Sequence, residues 1–367
     1  MRLTQLKTHG WRNLVPATVD CDCPLIVIHG ENGQGKSNLL EAVHVMGTLK
    51  SFREPRARRW VGHGEPGARI DATVQSTMGQ RRLSWRWSDG QRQLQMDDKT
   101  IGELSTWFEV LRAVVFCPED GRIVRGEPEQ RRRFMDRAAF SAWPEHLTAV
   151  TEYRKVLGHK RALLQSRWVD PLQLDAFDAS LARLGAQVVH RRVAVVDALR
   201  QTFNEKHSAI AGTGEVSLRV RANGLPDLQD VDLDHLEAKL AQAMAEKRDE
   251  EINKGQALVG PHRDDLVIQI DGQLARNFAS QGQARSLVLG LKLAQLEYAH
   301  SQGHVPLFLL DDLTSELDQG RRARLVEVLT HLKGQVWITT TEPKYLGDLT
   351  KMDHALLAVR DGEITRE

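Results

Sequence analysis

The eight residues Gly30–Ser37 constrain this chain more than any other stretch, because they fit the pattern G-x-x-x-x-G-K-[ST]. That pattern is typical of the phosphate-binding loop (P-loop) of nucleoside triphosphatases. Its glycines allow a tight turn in which backbone N–H groups approach phosphate oxygens. In such a loop Lys36 would supply positive charge to the β- and γ-phosphates of a nucleotide, and the Ser37 hydroxyl would be a ligand of Mg²⁺.

The flanking sequence predicts the strand and the helix that a P-loop needs. Leu25–Ile28 is a short apolar run of the kind that forms a buried parallel strand. Leu39, Leu40, Val43 and Met46 recur at helical spacing, so a helix is predicted to begin at the loop and to direct its positive end at the phosphates. The alternative is a glycine-rich turn, but strand, loop and helix in register favour a nucleotide site.

Composition limits the classes of protein that remain. A chain of 367 residues predicts about two domains, and 50 Lys and Arg against 49 Asp and Glu make any nucleic-acid surface a local patch. Cys21, Cys23 and Cys117 lack metal-ligand spacing and are interpreted as buried thiols in a reducing cytosol rather than as a redox pair. With no signal peptide and no run of about 18 apolar residues, we expect a cytoplasmic protein without a membrane partner.

The segments around the P-loop predict a head rich in β-structure. Short strand-like runs occur near Leu3–Leu6, Ala17–Cys21, Ile70–Val74, Leu83–Trp87 and Val114–Phe116. Together they indicate a β-subdomain beside the P-loop. From the residues alone, Arg12 and Asn13 are interpreted as a polar turn between the first two strands.

From Pro128 to about Ile210 the periodicity becomes helical. Apolar residues step by three and four, and an earlier segment around Leu147–Leu157 is a candidate antiparallel partner. The seam is too short for a long coiled coil and predicts a compact helical lobe. One more helix is predicted at Asp234–Asn253 and β-structure at Leu266–Gly272. The seam residues are Leu174, Phe177, Leu181, Leu184, Val188, Val195, Leu199 and Phe203.

Two acids, Asp311 and Asp312, follow the hydrophobic run Pro306–Leu310. A buried strand presents its last side chains at the crevice where ligands bind in open α/β sheets. There Asp311 would hold Mg²⁺ through water, and Asp312 would orient or deprotonate the attacking water. A surface turn is the alternative, and the P-loop favours the functional interpretation. Lys36, Asp311 and Asp312 are thus the candidate catalytic residues, and Ser37 and Asp311 the candidate Mg²⁺ residues.

A small polar segment, Ala279–Gln283, directly precedes another predicted helix. Ser280 is a plausible N-cap, and a serine with a glycine at a helix N-terminus also suits an anion. By itself this signal is weak.

Together these elements resemble the ABC ATPases. Ser280–Gln283 is similar to their signature, usually S-G-G-Q, and Ser315–Asp318 is similar to their D-loop. The order of P-loop, inserted helical lobe, signature, acidic strand and D-loop is that of the structural-maintenance-of-chromosomes (SMC) branch. Four stretches further resemble the RecF family of bacterial recombinational-repair proteins: Trp11–Leu14, Phe116–Asp120, Gln130–Asp136 and Gly260–Leu266.

The resemblance implies the fold class, an α/β P-loop ABC/SMC-type ATPase head with a β-subdomain and an inserted, mostly helical lobe. The implied segments are 1–126 (head with the P-loop), 127–249 (helical lobe) and 250–367 (head with signature, acidic strand and D-loop). The signature residues would reach the γ-phosphate held by the P-loop of a second subunit, so ATP would join two heads into a homodimer. The implied nucleotide-binding residues are Gly30, Glu31, Asn32, Gly33, Gln34, Gly35, Lys36, Ser37, Asn38, Arg12, Asn13, Ser280, Gly282, Gln283 and Asp318.

The resemblance also implies partners. Members of the family bind single- and double-stranded DNA, favouring gaps or junctions. With RecR, and with RecO in the same pathway, they help to place RecA on single strands covered by SSB. The sequence offers two groups of candidate DNA contacts. The first is Lys50, Arg53, Arg56, Arg58 and Arg59, for which the alternative is a solvated loop. The second is Arg131, Arg132 and Arg133, for which the alternative is pairing with Glu127 and Glu129.

Two departures from the ABC pattern bear on activity. Asp312 stands where most ABC ATPases have Glu, and its side chain is one methylene shorter, which predicts slow hydrolysis suited to a switch. The resemblance to the RecF family further implies that DNA stimulates this weak ATPase. Thr339–Thr341 follows the next strand where a His is usual, and its hydroxyls would either contact the γ-phosphate through water or cap the strand. The competing interpretations are an ATPase subunit of a transporter, which would need a membrane partner, and a module in which ATP is only dimer glue.

Overall fold

The computed structural model describes residues 1–76, 79–225, 232–312, 318–344, 346–347 and 352–367. Its strands are β1 (Arg2–His9), β2 (Ala17–Asp20), β3 (Leu25–His29), β4 (Gly67–Ser76), β5 (Gly79–Ser88), β6 (Gln91–Met96), β7 (Lys99–Thr100), β8 (Ala113–Phe116), β9 (Val216–Arg221), β10 (Asp265–Ile270), β11 (Gln273–Leu274), β12 (Leu307–Leu310), β13 (Val336–Thr340), β14 (His354–Arg360) and β15 (Glu363–Arg366). Its helices are α1 (Lys36–Thr48), α2 (Leu104–Val110), α3 (Arg122–Arg125), α4 (Pro128–Ala139), α5 (His146–Leu164), α6 (Pro171–Ala211), α7 (Leu233–Lys254), α8 (Ala275–Phe278), α9 (Gln281–Ser301) and α10 (Gln319–Thr330).

The chain divides into two compact units. Unit 1 comprises residues 1–121, 206–213 and 281–367, and unit 2 comprises residues 122–205 and 214–280. Unit 1 therefore contains the P-loop and both ends of the chain, and unit 2 is inserted. The predicted return to the head at residue 250 differs from this division, because β10 pairs along its whole length with β9 of the inserted segment.

A largely parallel sheet organises unit 1, with the strand order β15-β14-β3-β13-β12-β8. β3, β12 and β13 are apolar along almost their entire length and buried, as expected of parallel strands that are covered on both faces. They run in the same direction, so their carboxyl ends meet at one edge of the sheet. This edge carries the P-loop after β3, Asp311 after β12 and the threonines that end β13.

A second sheet of unit 1 is antiparallel, in the order β2-β1-β4-β5-β6-β7. β4 alternates buried and more exposed residues, as a strand with one face on a core does. Trp11, Trp60 and Trp85 pack together beneath it, with ring centroids 5.5–5.7 Å apart. The strands predicted around residues 70–74 and 83–87 lie inside β4 and β5.

Unit 2 combines helices α3 to α8 with a small sheet of order β11-β10-β9. Ala149 and Val150 of α5 pack with Val188 of α6, so the predicted partner segment lies along the predicted seam. The helix predicted at 234–253 is α7, which ends at Lys254 before Gly255. The predicted helical lobe therefore also contains β-structure.

Two expectations from composition can be compared with the structure. Cys21, Cys23 and Cys117 are buried and not joined in disulfides, which confirms their interpretation as buried thiols. Among the helices of the described residues, none has both the length and the apolar character needed to cross a bilayer.

Candidate nucleotide site

Three strand ends of unit 1 bring two hydroxyls and an acid together. The Ser37 hydroxyl donates a hydrogen bond to Asp311 Oδ1 (2.8 Å), and the Thr339 hydroxyl donates to the same oxygen (2.8 Å). The backbone N–H of Asp312 donates in turn to Thr339 Oγ1 (2.8 Å). Thr339 thus connects Asp311 with the backbone of Asp312. The sequence had left two roles open for this threonine, a contact with the γ-phosphate and capping of the strand.

Asp311 lies in a setting that suits a cation. Burial raises the pKa of its carboxyl, while hydrogen bonds from Thr339 and Ser37 and the charge of Arg53 oppose that rise. A divalent cation beside this carboxylate would favour its ionised form. Hydroxyl and carboxylate oxygens are also the ligands that Mg²⁺ prefers, with water completing the shell.

Lys36 begins α1 and is held over its own loop. Its Nζ donates to the carbonyl oxygens of Gly30 and Glu31, at 2.7 Å each. Burial lowers the pKa of this lysine, and the charges of Asp312 and Asp311 oppose the shift. The ammonium group is therefore held close to the loop that would bind the phosphates.

The backbone of the loop requires glycine at its closest approach. Gly35 has a φ of +120°, and a Cβ there would lie 2.9 Å from Leu14 Cδ2 and 3.1 Å from Asn13 Oδ1. Gly30 and Gly33 also have positive φ. Glu31, Asn32 and Gly33 are exposed at the tip of the loop, where a triphosphate would enter. A loop of this shape at a helix N-terminus fits a polyphosphate.

A chain of amides links the loop to the basic segment. Asn38 Nδ2 donates to Asn13 Oδ1 (2.6 Å), and Arg53 Nη1 donates to Asn38 Oδ1 (2.8 Å). Asn13 Nδ2 lies 3.5 Å from the carbonyl oxygen of Gln34. Asn13 and Asn38 are therefore beside the P-loop. Arg53, which the sequence offered either as a DNA contact or as part of a solvated loop, contacts Asn38 there.

The C-terminal hairpin supports the loop from the other side. The N–H of Gly362 donates to the Gln34 carbonyl (3.0 Å), and the N–H of Asp361 donates to Gln34 Oε1. Nothing in the sequence signalled this contact, because more than 320 residues separate its partners.

The Arg12 guanidinium is engaged by the protein. It makes a bidentate ion pair with the buried Glu41 (2.8 and 2.7 Å), and its Nη1 donates to the Arg59 carbonyl (2.9 Å). Arg12 thus ties the first turn to α1 and to the basic segment. Its predicted contact with nucleotide stays a prediction.

The signature and D-loop residues are connected through Arg321, which the sequence did not single out. Arg321 packs so closely on Gly282 that a Cβ at that position would overlap its guanidinium. Asp318 caps α10 by accepting from the N–H of Arg321 (2.9 Å), and this bond lowers the pKa of Asp318. Ser280 precedes α9, and Gln283 lies in its first turn. The D-loop residues Ser315–Leu317 lie outside the described residues.

The candidate DNA contacts separate into two groups. Lys50, Arg53, Arg56, Arg58 and Arg59 are exposed, and Arg59 pairs with Glu54 at 3.0 Å. Both interpretations of this segment remain compatible with the structure.

The prediction for Arg131 was wrong. Its side chain is 3% exposed and forms an ion pair with Asp265, at 2.5 Å, so it cannot reach a DNA phosphate. Arg133 pairs with Glu129 one helical turn away (2.5 Å), as the alternative interpretation expected. Arg132 donates to the Asp264 carbonyl (2.9 Å). This second group is therefore at least partly structural.

A parallel sheet with a P-loop after one strand and an acid–hydroxyl cluster at the next two strand ends defines an ABC-type ATPase head. A family model described as "RecF/RecN/SMC N terminal domain" matches residues 2–363. The chain belongs to the RecF family. It is 36% identical over 367 residues to "DNA replication and repair protein RecF" of Anaeromyxobacter sp. (strain Fw109-5), which covers 100% of this chain and 99% of the relative. It is 34% identical over 368 residues to the same-named protein of Myxococcus xanthus (strain DK1622), covering 99% and 97%.

Solved structures agree on the fold. A structure of the recombination mediator protein RecF with ATP, in the RecFOR pathway, superimposes with a TM-score of 0.89 at 25% identity, covering 100% of this chain and 97% of that one. An SMC head bound to the C-winged helix domain of ScpA gives a TM-score of 0.59 at 14% identity, covering 100% and 97%. The second likeness concerns the fold alone.

Proposed function

We propose that this protein is an ATP-dependent DNA-binding protein of recombinational repair. It dimerises on ATP, hydrolyses it slowly with stimulation by DNA, and binds gapped or junction DNA. The observation that carries the proposal is the cluster in which Ser37 and Thr339 share one oxygen of Asp311, directly behind the P-loop. The names of the relatives, which refer to replication, repair and recombination mediation, support the choice of pathway.

The residues of the cluster divide the work of hydrolysis. The glycine loop and Lys36 would bind the phosphates, and Ser37 with Asp311 would hold Mg²⁺, which would supply positive charge to stabilise the developing negative charge of hydrolysis. Asp312 accepts the proton of the attacking water or orients that water. Its side chain is one methylene shorter than the Glu of most ABC ATPases, so slow turnover is expected.

Dimerisation follows from the geometry of a shared phosphate. Ser280, Gly282 and Gln283 of one subunit would contact the γ-phosphate on the P-loop of the other. Since these contacts exist only in the closed dimer, loss of the γ-phosphate would favour separation. In the cytoplasm the closed dimer would hold DNA and act with RecR and RecO in loading RecA.

The mass of the protein in solution tests this proposal. Light scattering would be recorded without nucleotide, with ADP, and with ATP and Mg²⁺, for the wild type and for Ser280→Arg. We expect ATP alone to convert monomer to dimer, and Ser280→Arg to abolish the dimer while retaining ATP. A mass that never changes would contradict the composite site and leave only the nucleotide site.

Asp312→Asn distinguishes a switch from ATP as simple glue. Removing the proton acceptor should stop hydrolysis without weakening ATP binding. If the protein is a switch, the Asp312→Asn dimer should then remain closed on DNA. Slow dissociation of a labelled gapped duplex would show this. If repair function in cells were unchanged, ATP would serve only as glue.

A further inference from the structure

Unit 2 carries a concave face that is dominated by arginine. A cavity of about 90 Å³ lies on its small sheet, lined by Arg131, Arg219, Arg221 and Arg276 around a single acid, Asp265. We call Arg219, Arg221 and Arg276 the arginine face. None of these three residues was predicted from the sequence as a DNA contact.

The charges on this surface do not balance. Asp265 is 4% exposed and already makes a bidentate pair with Arg131 (2.5 and 3.2 Å). Arg221 and Arg276 approach the same carboxylate at 3.3 and 3.9 Å, and their side chains are 57% and 42% exposed. Within the part of the chain that the structure describes, Arg219 has no ion pair. Four guanidinium groups therefore surround one carboxylate, and a bound anion would relieve their mutual repulsion.

The strand pattern explains why these side chains share a face. β9 buries Val216, Leu218 and Val220 and exposes the residues between them, so Arg219 and Arg221 point the same way, about 7 Å apart. Arg276 is brought beside them by α8, which follows the β10–β11 hairpin. The result is a short row of exposed guanidiniums rather than a closed pocket.

The outer edge of β9 in the same sheet is already partly hydrogen-bonded. Arg200 Nε donates to the Leu218 carbonyl (2.9 Å), and Asn204 Oδ1 accepts from the N–H of Val216 (3.2 Å). Both residues belong to α6, which therefore occupies two backbone hydrogen-bonding groups on the outer edge of β9. We expect a partner to contact the arginine side chains rather than to extend the sheet.

We propose that the arginine face binds backbone phosphates of a DNA strand. The inference rests on the proposed function and names a surface for it. A guanidinium matches two phosphate oxygens at once, and a row of them on a strand suits a linear polyanion better than a single small anion. Such contacts position DNA without reading its sequence, as a protein that recognises gaps requires. Buried Arg131 serves this face indirectly, by neutralising Asp265.

The test compares two pairs of strand arginines in the full chain. Arg219→Gln with Arg221→Gln removes two charges from the arginine face, and Arg81→Gln with Arg82→Gln removes two exposed charges from β5, where each is paired with an acid. Affinity for a fluorescent gapped duplex would be measured by anisotropy, with ATP and Mg²⁺, over a range of salt. The first variant should bind roughly 10- to 100-fold more weakly at low salt, and its slope of log K against log salt should be smaller by about 2. The second should match the wild type.

The outcomes separate this inference from the function on which it rests. If the wild type bound no DNA, the proposed function would fail and the arginine face with it. If the wild type bound DNA and the Arg219/Arg221 variant kept its affinity and slope, only the arginine face would be refuted. A loss of ATP binding in place of DNA binding would also refute it. Should the Gln variant fold poorly, Arg276→Gln removes one exposed charge of the arginine face without touching β9 and should reduce the slope by about 1, and an unchanged slope and affinity would refute the arginine face.

Discussion

The nucleotide site of unit 1 and a buried ionic network in unit 2 use charge in opposite ways. In the nucleotide site Lys36 and Ser37 come from one run of eight residues, and the tip of the loop is exposed. The ionic network consists of Arg192, Asp136, Asp264 and His146, drawn from distant parts of the chain and shut away from water. The charges of the nucleotide site are arranged to bind a ligand, whereas those of the ionic network are compensated by one another.

The geometry of the ionic network leaves no charge without a counterpart. Arg192 is bidentate to Asp136 (2.8 and 3.1 Å) and also donates to Asp264 Oδ2 (2.9 Å) and to the Pro261 carbonyl (2.7 Å). His146 Nε2 lies 3.0 Å from Asp136 Oδ1. Burial by itself would raise the pKa of Asp136, but Arg192 and His146 hold it well below its usual range. We therefore expect that removing one residue of the ionic network destabilises the fold, whereas removing one residue of the nucleotide site weakens only ligand binding.

Arg192→Met is expected to have the largest effect. It leaves Asp136 and Asp264 buried without their cation, which costs about 3–5 kcal/mol of unfolding free energy. Denaturant unfolding measures this loss. The neighbouring Arg191→Met is the control, because Arg191 pairs with Glu145, which is 58% exposed, and should cost less than about 1 kcal/mol. If Arg192→Met and Arg191→Met lowered the unfolding free energy equally, the ionic network would not be a special source of stability.

Gly260→Ala should come next, at about 3 kcal/mol. Gly260 has a φ of +123°, and a Cβ would overlap the Tyr153 hydroxyl, which is hydrogen-bonded to His262 Nδ1 at 2.7 Å. The clash and the backbone strain are separable. In a Tyr153→Phe background the cost of Gly260→Ala should fall, and a double-mutant cycle of unfolding free energies measures the difference. Strict additivity would assign the whole cost to the backbone.

The same contrast explains what the sequence could predict. The P-loop, β3 and α1 are encoded by neighbours in the chain, so pattern and spacing located them, and the two acids followed from a single apolar strand. The supporting roles of Glu41 and Arg321 were not predicted, and that of Thr339 was left between two alternatives, because all three act through side-chain geometry that only the fold creates. The prediction for Arg131 was wrong for the same reason. Helix spacing suggested Glu127 or Glu129 as its ion-pair partner, but the partner is Asp265, which is 134 residues away.

A pH dependence of about 2 kcal/mol is expected from His262. Burial lowers the pKa of this histidine to about 4; the Ala257 carbonyl opposes the shift, and Arg161, Arg263 and Arg132 add to it. The folded pKa is below the ordinary value, so this stability is complete above about pH 6.5 and is lost as pH falls toward 4. The difference between the ordinary value of 6.5 and a pKa of about 4 corresponds to about 3 kcal/mol, and partial exposure reduces this figure.

Urea midpoints between pH 7 and pH 4.5 would measure this dependence. In His262→Gln, which cannot titrate, the decline over that range should be shallower. An unchanged slope would mean that His262 contributes nothing to the pH dependence, and that the buried polar groups of unit 2 resist acid better than their burial suggests.

Thr339→Val should have the smallest effect on stability and a clear effect on turnover. Valine keeps the shape but removes the hydroxyl that donates to Asp311 and accepts from the N–H of Asp312 (2.8 Å each). Thr339 is fully buried, so both hydrogen bonds are lost where water does not replace them, but Asp311 keeps the bond from Ser37, which limits the cost in unfolding free energy to about 1–2 kcal/mol. Since the bond to Asp312 fixes the backbone of the candidate base, ATP hydrolysis should fall roughly tenfold while ATP affinity is retained. Thr340→Val, one residue along β13, is the control: its hydroxyl donates to the Glu342 carbonyl, so it should leave hydrolysis near the wild-type rate. If both variants hydrolysed ATP normally, Thr339 would only cap its strand, and Asp312 would be oriented by other groups.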